Sequence, residues 1–90
     1  MNRDKLLLIA THAVNILLKD PKRVADYALN GNVDKLLTRE LLHEVLVNNR
    51  FYLSIPANDW ETIDAIMSDD FFRKTFKTLV LNNIKNFKLY

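Results

Sequence analysis

The 90-residue chain is 49% hydrophobic and 27% charged, the balance of a folded protein and not of a disordered tail. One Gly and two Pro are too few for the tight turns of an all-β fold, and the absence of Cys excludes disulfides, thiolate catalysis and cysteine zinc sites. The formal net charge is only +2 but is unevenly placed: residues 1–30 hold five basic and three acidic groups, residues 31–70 three basic and eight acidic, and residues 71–90 five basic and none acidic.

A core cut from so short a chain cannot be divided in two, so one domain over residues 1–90 is expected. Residues 6–18, LLLIATHAVNILL, form its most apolar run. The run is shorter than the roughly twenty apolar residues that span a bilayer. As an export signal it is interrupted by His12 and Asn15 and lacks a small-x-small cleavage site, so a cytoplasmic protein with no membrane contact is expected. On a helix over residues 3–19, Thr11, His12, Asn15 and Lys19 share one narrow strip, and apolar residues spread over the rest. So wide an apolar surface predicts a central helix contacted from several sides.

Asp20-Pro21 ends this helix and opens the next, with Asp20 as N-cap and Pro21 at the first helical position. The second helix covers residues 21–29, buries Val24, Ala25 and Ala28, and closes at Asn30-Gly31. Asn32 can cap a short turn over residues 33–37 and Thr38 a longer helix from Arg39, or one helix can run through both. Leu41, Leu42, Val45, Leu46, Tyr52 and Leu53 make a single stripe if the helix reaches residue 53, while residues 51–55 also suit an extended segment. Asn58 with Glu61 forms a capping-box pattern, opening a helix with Trp60, Ile63 and Met67 on one face. Ser68 caps the last helix, with Asp69 and Asp70 in its first turn and Phe72, Phe76, Leu79, Val80, Ile84 and Phe87 at helical spacing. The fold expected is therefore all-α, a compact bundle of about five helices around the N-terminal one.

Few residues have the spacing that chemistry requires. Glu40 and His43 have the Glu-x-x-His spacing of di-iron bundles, which use it on two helices; here it occurs once. The second histidine position of a zinc-protease helix is Val47. Neither metal nor cofactor is expected; His43 is read as a surface or core-edge group and His12 as a hydrogen-bonded structural residue. Ser54 and Ser68 have no histidine nearby in sequence, and Gly31 alone cannot make a phosphate loop, so no enzyme is expected.

Two surfaces remain. Arg73, Lys74, Lys77, Lys85 and Lys88 project opposite Phe72, Phe76 and Val80, a basic face able to neutralise phosphates or meet an acidic protein. No DNA-binding motif accompanies it: residues 24–44 share only a glycine with a helix-turn-helix, and Tyr27 stands where a small residue belongs. On the third helix Val47 and Phe51 lie away from the main stripe, among Glu40, Glu44 and Arg50. Leu8 and Leu81 are misplaced in the same way. Either neighbouring helices wrap these residues or a partner covers them.

Together these features predict a small non-enzymatic regulator, an inhibitor or adaptor, that binds another protein through Val47, Phe51, Glu40 and Glu44. The acidic middle and basic end also favour head-to-tail contact, with a homodimer as corollary. The short Asn-, Lys- and Leu-rich chain suits a phage-encoded protein directed at its host. The alternative is nucleic-acid binding by the basic face of the last helix.

Overall fold

The helices of this chain are set by caps, and the caps are short polar side chains just ahead of apolar stripes. A computed structural model describes residues 2–20, 22, 24 and 33–87, with the side chains of residues 51, 52 and 84–87 outside that description. Helix α1 spans Arg3–Leu18: Asn2 caps it by accepting from the Lys5 N–H at 2.8 Å, and Asp4 suits the positive end of the dipole. It closes with a tightened turn, Asp20 N–H to Leu17 O at 2.9 Å, directly ahead of Pro21. Of the helix expected over residues 21–29, Lys22 and Val24 are described, both helical and Val24 buried. The rest of that segment, with its Asn30-Gly31 cap, lies outside the described residues.

A 3-10 turn at Val33–Leu36 buries its first and last residues, and Thr38 then caps helix α2, Arg39–Asn48, accepting from the Leu41 N–H at 3.1 Å. The extended backbone of Thr38 separates turn and helix, so the two are not one continuous element. α2 stops at Asn49, whose backbone N–H and side-chain amide both donate to Val45 O, at 3.0 and 2.9 Å. A single helical turn, Arg50–Leu53, follows and ends at Ser54 in the left-handed region, φ 54°. Residues 51–53 are thus helical and not extended.

Helix α3, Trp60–Ser68, and helix α4, Asp70–Phe87, complete the chain. Both caps fall one residue later than expected. Asp59, not Asn58, opens α3, because Thr62 three residues on donates to it twice, from its N–H at 3.2 Å and its Oγ1 at 2.7 Å. Asp69, not Ser68, opens α4 by accepting from the Phe72 N–H at 2.8 Å, while Ser68 stays in α3 and donates to Asp64 O.

Four helices longer than one turn therefore stand among the described residues, where about five were expected, and no strand does. The fold is an all-α bundle centred on α1, which packs most extensively on α4 and next on α2. Its buried stripe is Leu6, Ile9, Ala10, Ala13, Val14 and Leu17, and the two alanines let both neighbours approach closely. α2 adds Leu41, Leu42, Val45 and Leu46, α3 adds Ile63 and Ile66, and α4 adds Phe72, Phe76 and Val80. The Cα radius of gyration, 12.8 Å, matches the roughly 12 Å of a compact chain of this length. α1 is packed by both α4 and α2, while Leu7 and Leu8 remain 45% and 40% exposed on its outer side. Leu81, by contrast, packs partly against the core and is not misplaced. No helix among the described residues is long and apolar enough to cross a membrane.

Candidate functional site

Because α2 commits Leu41, Leu42, Val45 and Leu46 to the core, helical spacing turns Arg39, Glu40, His43, Glu44 and Val47 outward. On α3, Ile63 and Ile66 face inward, which leaves Trp60 and Asp64 together, one turn apart, on the flank. Of the face expected to hold Trp60, Ile63 and Met67, Ile63 is buried and Trp60 is exposed at its edge, while Ile66 joins Ile63 in the core. α2 and α3 pack side by side, and the two outward pairs meet. Arg39 forks onto Asp64, Nε to Oδ1 at 3.0 Å and Nη2 to Oδ2 at 3.4 Å. Its guanidinium carbon lies 4.9 Å from the Trp60 ring centroid, and the His43 ring stacks on the same indole at 5.2 Å and 19°.

His43 is itself held, with Nδ1 2.7 Å from Ala57 O. A carbonyl can only accept, so Nδ1 carries the hydrogen of this contact. Despite this clamp Trp60 is 43% exposed, and Val47, one turn beyond His43, is 47% exposed. On α2, Glu40 and Glu44 flank Val47, are exposed and make no ion pair among the described residues. The result is a rigid aromatic knob and a second apolar side chain flanked by carboxylates. The side chain of Phe51 lies outside the description, so of the four residues expected at a partner-binding face the structure places Glu40, Glu44 and Val47 together. Arg39, His43, Trp60 and Asp64 were missed. The signal for them was two pairs at one-turn spacing, which acquires meaning only when α2 and α3 are brought together.

Of the five residues expected on the basic face, the structure describes the side chains of three, Arg73, Lys74 and Lys77. Arg73 lies 3.9 Å from Asp34, while Lys74 and Lys77 are exposed. The side chain of Lys85, and all of Lys88, lie outside the described residues. Phe71 carries Arg3 over its ring at 5.0 Å and walls a shallow groove of about 270 Å³ with Lys74, Thr75, Thr78 and Leu79.

A larger open groove, about 770 Å³, separates the start of α1 from α3 and includes Lys5, Ser54, Asp59, Thr62 and Asp69. Of its polar side chains, Asn2, Asp59, Thr62 and Asp69 are engaged in capping. Thr62 Oγ1 does donate to the Asp59 carboxylate, but those same hydrogen bonds push the Asp59 pKa down, which makes it a poorer base. The pair is a helix cap by geometry. His12 is half-buried on α1 with no hydrogen bond among the described residues, contrary to expectation. Among those residues no three His, Asp or Glu groups are gathered as metal ligands are.

No protein-family model, curated protein or solved structure matches the chain.

Proposed function

We propose that this chain is a small non-enzymatic regulator, an inhibitor or adaptor acting in the cytoplasm, that binds another protein through the outer face of α2 and α3. The observation that carries this reading is Trp60: a large aromatic, nearly half exposed, held in place by Arg39 and His43. An exposed aromatic that is already immobilised loses little further entropy when a partner covers it. Trp and Arg are also the residues that dominate binding energy at protein interfaces. Val47 widens the apolar centre, and Glu40 and Glu44 supply a charged rim that selects the partner's sign.

The test is capture of partners by the tagged full chain, set against Trp60→Ala and Val47→Asp. Both positions are exposed, so the helical circular dichroism should be kept while the captured protein is lost. A partner retained by both variants at wild-type level refutes the reading. Nucleic-acid binding by α4 is the alternative, supported by the exposed Lys74 and Lys77 and weakened by the pairing of Arg73 with Asp34. It predicts affinity that falls steeply with salt, by nearly one unit of log–log slope per phosphate contact. No binding to DNA or RNA at low salt rules it out.

A further inference from the structure

Resting on that reading, we infer that the partner is a second copy of this chain: the Trp60–Val47 face of one protomer docks on the outer face of α4 of the next. The two faces are complementary in charge and in relief. One is an apolar knob, Trp60 with Val47, with Glu40 and Glu44 exposed beside Val47 on α2. The other is the groove walled by Phe71, Thr75, Thr78 and Leu79, with Lys74 in its wall, Lys77 nearby on the same helix and Arg3 over the Phe71 ring. None of Glu40, Glu44, Lys74 and Lys77 forms an ion pair among the described residues, so each is available across an interface.

The fold also presents the two faces separately. α2 and α4 each pack on α1 through their apolar stripes, and each turns its charged side away from the shared core. A contact between them joins unlike surfaces, so it extends head to tail unless a ring closes it. Opposite charges steer the encounter and disfavour like faces meeting.

Sedimentation of the full chain across a dilution series tests this. The expected result is an average mass that rises with concentration and falls as salt is raised, with a blue shift of Trp60 emission on association, since this is the single tryptophan. Glu40→Lys with Glu44→Lys, and separately Lys74→Glu with Lys77→Glu, should each weaken self-association by about tenfold or more. Mixing the two variants should restore it, because the basic α4 face of the first meets the intact acidic face of the second. A wild-type chain that stays monomeric at low salt overturns the inference. So does association that both charge variants retain, or folded variants that fail to pair when mixed. Should a charge variant lose its helical signal, Trp60→Ala and the wild-type salt series decide in its place. A monomeric chain that captures a different protein through Trp60 overturns this inference and leaves the proposed function standing. Self-association or capture indifferent to Trp60→Ala and Val47→Asp overturns both.

Discussion

Truncating Arg39 to Ala removes two contacts of known geometry, and their sizes can be worked separately. The fork onto Asp64 joins side chains 51% and 57% exposed, where water screens the charges, so it contributes about 0.2–1 kcal/mol. The guanidinium 4.9 Å from the indole centroid contributes about 0.5–1 kcal/mol at so exposed a site. Arg39→Ala should therefore lower stability by about 0.7–2 kcal/mol. A double-mutant cycle with Trp60→Leu should return a coupling of about 0.5–1 kcal/mol. Urea unfolding followed by far-ultraviolet circular dichroism measures all four corners, since half of them lack the only tryptophan. In the Arg39 variant the emission of Trp60 should shift to longer wavelength as water reaches the ring. Coupling below about 0.3 kcal/mol with unchanged emission refutes the claim that Arg39 holds the indole. The preorganised docking face would go with it.

Four further outcomes follow from the core, the backbone and a cap. Ile9 is fully buried between α1 and its neighbours, so Ile9→Ala should cost about 2–5 kcal/mol of a total of about 5–13 kcal/mol; a loss below 1 kcal/mol by denaturant midpoint contradicts the packing. Phe76→Ala, 2% exposed on α4, should cost about 3–5 kcal/mol in the same measurement. Ser54 has φ 54°, a region that costs a residue with Cβ about 1–2 kcal/mol, so Ser54→Gly should raise the thermal midpoint or leave it unchanged; a marked fall would mean that the side chain is needed there. Hydrogen bonds from the Thr62 hydroxyl and N–H hold the Asp59 carboxyl below its ordinary value of 3.8. The unfolded chain then binds that proton more tightly than the folded one, so the stabilisation is present above the ordinary value and is lost as pH falls through the folded one. Asp59→Asn should flatten the loss of stability below about pH 4, and equal acid sensitivity in both proteins would assign that loss to other groups.

Local chemistry was legible from the chain alone. The span of α1, the Thr38 cap and the buried stripe of α4 at Phe72, Phe76 and Val80 follow from interactions within a few residues, which spacing records directly. The all-α class followed for the same reason. Boundaries resolved by competition between neighbours did not: Asp59 won over Asn58 because Thr62 could donate to it twice, and Asp69 over Ser68 because Ser68 found Asp64 O. Exposure was decided only by packing, since Leu7 and Leu81 have the same side chain and only the arrangement of helices around α1 separates them.

The candidate site divides along the same line. Val47, Glu40 and Glu44 were readable as an outward face of α2, because one helix's period sets which side chains share a side. Trp60 was expected only on a face with Ile63 and Met67, and its contacts with Arg39 and His43, with Arg39 held by Asp64, join residues far apart in sequence on two helices. Periodicity within a helix cannot express such a juxtaposition; it exists only once α2 and α3 lie side by side.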